Sequence, residues 1–148
     1  MKEKGIPSSR LTGGDDLIES SIVNEPEVLY VVDQVRDGLP FSAFEVLRKK
    51  LGVTEDRLGE LLGISRATLH RRKKAAHLER AESDRLARYE RLFAHAAATF
   101  GGAAEAREWL GTPALDFHWE TPLDYADTEI GAQAVDRLLG RIEHGVFS

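Results

Sequence analysis

The sequence predicts an all-α chain in which a helix-turn-helix unit is followed by a smaller helical domain. Three observations predict it. Apolar residues recur at helical spacing over most of the 148 residues, and no stretch alternates as a strand does. The segment "TEDRLGELLGISRATLHRRKK" reads as short helix, glycine turn, short helix. Gly101-Gly102 closes a long helical run and sets a boundary between residues 26–100 and residues 101–148.

Taken in order, residues 1–25 are polar, hold Gly13-Gly14 and Asp15-Asp16, and are expected to be disordered. In "PEVLYVVDQVRDG", Val28, Val31, Val32 and Val35 share helical spacing, with Pro26 near the start and Gly38 past the end. In "FSAFEVLRKKLG", Phe44, Leu47 and Leu51 form one stripe; Ser42 is expected to cap the helix and Gly52 to stop it. Thr54 caps the next helix, Glu55 and Asp56 suit its positive end, and Gly63 closes it. Ser65 caps a third helix through "RATLHRRKK". A long helix over roughly residues 81–100 aligns Leu86, Tyr89, Phe93 and Phe100. The last helix, near residues 128–144, repeats Ile130, Ala134, Leu138 and Ile142 every four positions, with Leu139 widening the stripe and Gly145 as its stop.

A hydrophobic share of 42% is enough for a packed core. No apolar run approaches the ~18 residues of a membrane span, and "MKEKGIPSSRLTGGDD" has no apolar stretch fit for a secretory signal, so a cytoplasmic protein is expected. The absence of cysteine rules out disulfides and thiolate metal sites. The net charge of -5 hides a division. Residues 1–43 carry 4 basic and 8 acidic side chains, residues 44–92 carry 13 and 8, and residues 93–148 carry 3 and 9, for nets of -4, +5 and -6. A polyanion is attracted to the middle and repelled by both ends.

The positive charge concentrates in "LLGISRATLHRRKKAAH", with five Arg and Lys residues and no acid. Gly59 lets the two short helices approach, Gly63 supplies the turn, and Leu58, Leu62, Ile64 and Leu69 are expected to fill the core between them. The second helix is then the recognition helix of a DNA-binding unit, its N-terminal residues at base edges in the major groove. Arg66, His70 and Arg71 point away from Leu69 and are the candidates for base contact; Ser65, Thr68, Arg72, Lys73 and Lys74 are placed for phosphates. Arg72 stands where such units usually carry an apolar residue.

"GLPFSAFEVLRKKLGVTEDRLGELLGISRATLHRRKK", "ESDRLARYERLFAHA" and "TPLDYADTEIGAQAVDRLLGRIEHGVFS" together resemble the Xre/MbcA/ParS-type antitoxins, over roughly residues 28–148. The resemblance implies a Cro-like DNA-binding module joined to a small helical toxin-binding domain. It also implies a RES-domain partner toxin that consumes NAD, whose active site the antitoxin's C-terminal end covers, together with homodimers that repress their own operon on operator DNA. Trp109 and Leu110 would belong to the toxin-binding domain's core, Thr121, Pro122 and Leu123 would shape its loop, and Gly131 would sit early in the last helix. Arg141, Glu143, His144, Gly145 and Val146 would lie at the toxin surface. The link "DFHWE", Asp116 to Glu120, departs from the family's short glycine-containing one, and Phe117 and Trp119 either cover the core or widen the toxin contact.

Physical reasoning about the C-terminal end leads to the same surface. Arg137 and Arg141 are four apart and share a face. A helix that stops at Gly145 leaves "VFS" free to plug a groove, with Val146 and Phe147 as anchors and Arg141 as a polar contact. Glu143 and the terminal carboxylate are the anionic groups available to occupy a pyrophosphate site. The other reading of Phe147 folds it back onto the domain's own core.

His70, His77, His95, His118 and His144 fall into no metal-ligand spacing, so no metal is expected. No phosphate-loop, dinucleotide or GxSxG pattern occurs; neither an enzyme nor a cofactor is expected. Tyr89, Leu92 and Phe93 suit a dimer seam or the core, and Leu29, Tyr30 and Val32 make the earliest helix the first candidate for self-association. The alternative is a plain helix-turn-helix regulator whose C-terminal domain dimerises or senses a ligand, or a pure protein inhibitor that has lost DNA binding.

Overall fold

The computed structural model describes residues 25–145, with side chains from Val31 onward. The N-terminal segment expected to be disordered lies outside them up to residue 24, as do Val146 and Phe147 and the side chains of Leu29 and Tyr30. Among the described residues the fold is all helix: α1 (Glu25–Asp37), α2 (Phe41–Leu51), α3 (Glu55–Leu62), α4 (Arg66–Ala75), α5 (Arg80–Phe100), α6 (Ala103–Leu110), α7 (Pro122–Tyr125) and α8 (Glu129–Glu143), with a 3-10 turn at Leu115–Phe117.

Local chemistry sets most of the boundaries. Thr54 and Ser65 accept hydrogen bonds from the backbone N–H groups of Arg57 and Thr68, satisfying donors that the first turns of α3 and α4 leave free. One expected cap is corrected. Ser42 lies inside the first turn of α2, because the helix opens behind Pro40, whose ring fixes φ at -65° while ψ is extended at 151°.

One continuous apolar core runs from Leu39 to Leu139. Phe44, Leu47 and Leu51 enter it as the stripe of α2 predicts. The 21-residue α5 is the spine: α1, α2 and α3 pack on it from one part of the chain, α6 and α8 from the other. Its Leu86, Tyr89, Leu92 and Phe93 are all buried core, and the Tyr89 hydroxyl donates to the Leu123 carbonyl at 2.9 Å. Burial holds that phenol well above the ordinary tyrosine range. Arg57 of α3 reaches Asp124 of α7 at 2.7 Å, a second tie between the two parts.

The buried face of α8 is turned by about a quarter of a turn from the expected stripe, of which Leu139 is buried and Ala134 and Leu138 still pack against the core. Its inward residues are Gly131, Ala132, Val135 and Leu139, whereas Ile130 is 76% exposed. The cause is a close approach at Gly131. A Cβ there would collide with the Tyr125 carbonyl oxygen, so only glycine lets the start of α8 pack against the end of α7, and that contact sets the helix's rotation.

Candidate functional site

The helix-turn-helix is built as its spacing predicts. Leu58, Leu62, Ile64 and Leu69 are all buried between α3 and α4. The Ile64 N–H donates to the Gly59 carbonyl at 2.8 Å, folding the turn back onto α3. A side chain at Gly59 would press on the Ile64 carbonyl at 3.1 Å, so the absence of a Cβ is what allows this approach. Gly63 takes the left-handed conformation, φ 71°.

Leu69 is the one buried residue of α4, so nearly the whole helix lies on the surface. Arg66, His70, Arg71, Lys73 and Lys74 are exposed. Arg71 donates to the Thr68 hydroxyl at 3.1 Å, and that hydroxyl also accepts from Ser65 Oγ at 3.1 Å. Two of the cations meet acids from the start of α3: Arg66 Nη2 lies 2.7 Å from Asp56 Oδ2, and Lys73 Nζ lies 2.9 Å from Glu55 Oε2. The Lys73 hydrogen bond holds the Glu55 carboxyl below the usual range.

Arg72 differs from the other cations of the strip. It turns inward, 18% exposed, with Nε 2.8 Å from Glu82 Oε1 and Nη2 3.7 Å from Glu79 Oε1. Glu82 also accepts from the Glu79 backbone N–H at 2.9 Å as part of the capping box that starts α5. Burial opposes the charge on Glu82, but the bonds from Arg72 and the Glu79 amide outweigh it and hold the carboxyl below its ordinary value. The bond to Glu82 in turn raises the guanidinium. An ion pair thus fills the slot where an apolar residue is usual. Arg85 Nη1 donates to the Leu62 carbonyl at 3.1 Å, so α5 holds the end of α3 as well.

At the other end, Arg137, Arg141, Glu143 and His144 are exposed on α8 or at its cap, and Gly145 follows at φ 73°. Sequence reasoning missed the partner of Glu143: His95 Nε2 lies 3.4 Å from its carboxylate, while Nδ1 is 3.0 Å from Asp136. Forty-eight residues separate His95 from Glu143, and no local spacing signals the contact. Trp109 packs on Phe100 with ring centroids 5.3 Å apart, and Leu110 is fully buried. Thr121 caps α7, with Pro122 and Leu123 buried behind it. In the "DFHWE" link, Phe117 is buried and stacks on Tyr125 at 4.8 Å, whereas Trp119 is 66% exposed. Among the described residues no cluster of ligands could hold a metal ion, and no helix is long and apolar enough to cross a membrane.

Comparison with known proteins accounts for both parts. Residues 31–91 match the antitoxin Xre-like helix-turn-helix domain, and residues 95–145 match the antitoxin Xre/MbcA/ParS C-terminal toxin-binding domain. The chain is similar to the antitoxin Xre of Yersinia enterocolitica, 30% identical over an alignment that spans 99% of this chain and 89% of that one. It is also similar to the antitoxin Xre of Photorhabdus laumondii, 33% identical over 97% of this chain and 87% of the relative. A shorter match, 39% identical over 64 residues, covers 43% of this chain and 40% of the antitoxin Xre of Pseudomonas putida. Over nearly its whole length the chain belongs to the Xre antitoxins, non-enzymatic proteins that join a helix-turn-helix to a toxin-binding domain.

Proposed function

We propose that this antitoxin silences a RES-type, NAD-consuming toxin by covering its active site, and that as a homodimer it represses its own operon through α4. The observation that carries the reading is the joining, in one chain, of a surface-lying cationic helix to an acidic toxin-binding domain. Arg66, His70 and Arg71 read bases, while Ser65, Thr68, Lys73 and Lys74 hold phosphates. Arg72, tied to Glu82, serves instead to set the angle of α4 on α5. On the toxin side, Arg137 and Arg141 offer a cationic face and Glu143, steadied by His95, a carboxylate for an anion site. In this reading Val146 and Phe147, outside the described residues, serve as apolar anchors next to His144 and Gly145 in the sequence. The cytoplasm, where NAD and the operator both reside, is the compartment of action.

Dimerisation is assigned to α1. Val32 is 38% exposed there, and Val31, Val32 and Val35 border an apolar groove of about 450 Å³ against Ala81 and Ala87 of α5. A symmetric pair would set two copies of α4 about 34 Å apart, one turn of DNA.

The test is growth of cells expressing the neighbouring gene, with this chain supplied intact or cut after Arg141. Toxicity relieved by the intact chain alone supports a toxin blocked by the C-terminal end. Rescue by both forms keeps the antitoxin and discards the C-terminal plug. A harmless neighbour leaves a plain regulator as the better reading.

A further inference from the structure

The "DFHWE" link combines three features that rarely coincide. It is closed and rigid: Ala114 donates to the Glu120 carbonyl at 3.1 Å, Trp119 to the Ala114 carbonyl at 2.9 Å, and Phe117 is locked into the core against Tyr125. It holds two successive non-glycine residues at positive φ, His118 at 56° and Trp119 at 67°. This region disfavours any residue with a Cβ, an aromatic one included. Finally, the side chain so placed faces solvent, since Trp119 is 66% exposed and Leu115, on the same loop, is 69% exposed. Folding gains little from the indole, and glycine would hold the same backbone with less strain. Strain that the fold does not need persists where it serves recognition.

We propose that Trp119, flanked by Leu115, is a preformed anchor for the cognate toxin, separate from the C-terminal end, and that it inserts into an apolar pocket rimmed by basic groups. The inference rests on the antitoxin reading above. Tryptophan is prominent among residues that dominate interface energies, and a rigid presenting loop leaves little to be ordered on binding. The toxin is the favoured occupant for two reasons. The loop lies within the toxin-binding domain, residues 95–145. Its formal charges are also all acidic: Asp116 and Glu120, within three residues of Trp119 in the sequence, are exposed, and so is Asp127 before α8. That field repels DNA and calls for a cationic rim on the partner. A symmetric contact with a second copy would bring the same acidic loops face to face.

The experiment compares the full-length chain with Trp119→Gly and Trp119→Phe. It measures affinity for the purified product of the neighbouring reading frame, thermal stability, and oligomeric state. The expected result is a loss of toxin affinity of at least about 30-fold in Trp119→Gly, the scale of an interface hot spot, with partial recovery in Trp119→Phe. The melting temperature of Trp119→Gly should be equal or higher, since the left-handed strain is relieved. In a Trp109→Phe background, Trp119 is the sole indole, and its emission should move to the blue on toxin binding. Undiminished affinity in Trp119→Gly overturns the proposal, and so does a lower melting temperature, which would make the indole structural. A change confined to self-association overturns it in favour of a second copy. If the unaltered chain does not bind its neighbour's product, the antitoxin reading for that pair falls first and takes this one with it.

Discussion

Arg72 Nε lies 2.8 Å from Glu82 Oε1, and this contact fixes the second helix of the helix-turn-helix to the N-terminal end of the spine helix. The partners come from α4 and α5, and the acid is already engaged in the capping box of its own helix. Orientation of α4 therefore depends on an ion pair where hydrophobic contact would ordinarily serve. Arg72→Ala leaves a mostly buried carboxylate with only its amide donor. Stability is expected to fall by about 2–3 kcal/mol, measured as the urea midpoint. Arg72→Met combined with Glu82→Gln should recover part of that loss, because both charges are then removed together.

The same pair sets a pH response. Glu82 is held below the ordinary glutamate value of 4.5, so below that pH the unfolded chain takes up a proton that the folded chain resists. The stabilisation is present above 4.5 and is lost as acid brings the pH down through the folded value. Glu55, lowered by Lys73, adds in the same direction. In Arg72→Ala, burial acts on Glu82 with less opposition, so the acid loss should be shallower. Urea midpoints followed from neutral pH to about pH 3 compare the two slopes; parallel slopes would falsify the assignment to this pair.

On DNA, the exposed cations of α4 should separate into two kinds. Arg71→Ala is expected to cost about 1–3 kcal/mol on the operator and to relax base preference at one position. Lys74→Ala should weaken all sequences alike and reduce the salt slope by about one. Titrations on operator and scrambled duplexes at several salt concentrations distinguish them. Equal losses on both duplexes for Arg71→Ala would remove it from base reading.

Two glycines of α8 should respond in opposite ways to the same substitution. Gly131→Ala drives a methyl group into the Tyr125 carbonyl and is expected to cost about 1–3 kcal/mol or more. Gly140→Ala meets nothing within 4 Å inside a helix and should add about 0.5–1 kcal/mol through helix propensity. Paired denaturation curves settle both, and equal effects would mean that close packing at Gly131 does not fix the helix.

Where structure follows from chemistry a few residues away, the sequence is informative. Thr54, Gly63 and Ser65 mark the helix-turn-helix because a cap or a turn needs only its immediate neighbours. Phe44, Leu47 and Leu51 are legible because periodicity and burial agree. Long-range contacts override such rules. Ile130 fits an apolar stripe by spacing, but the Tyr125 carbonyl admits only Gly131 and turns Ile130 to solvent. Arg72 has the composition of a surface cation and is drawn inward by acids on the following helix. Charge in a sequence tells neither which way a side chain turns nor which partner it finds. The His95 contact with Glu143 and the exposure of Trp119 likewise depend on elements brought together only by folding.

The shared helix α5 has a consequence for timing. Its inner face supports the helix-turn-helix through Glu82 and Arg85, and the toxin-binding domain through Tyr89 and Phe93. The described core has no internal seam between Leu39 and Leu139, and it is expected to melt as one cooperative unit. Thermal or proteolytic loss of the chain should therefore remove the helix-turn-helix and the toxin-binding domain in a single step, with no form that keeps one and lacks the other.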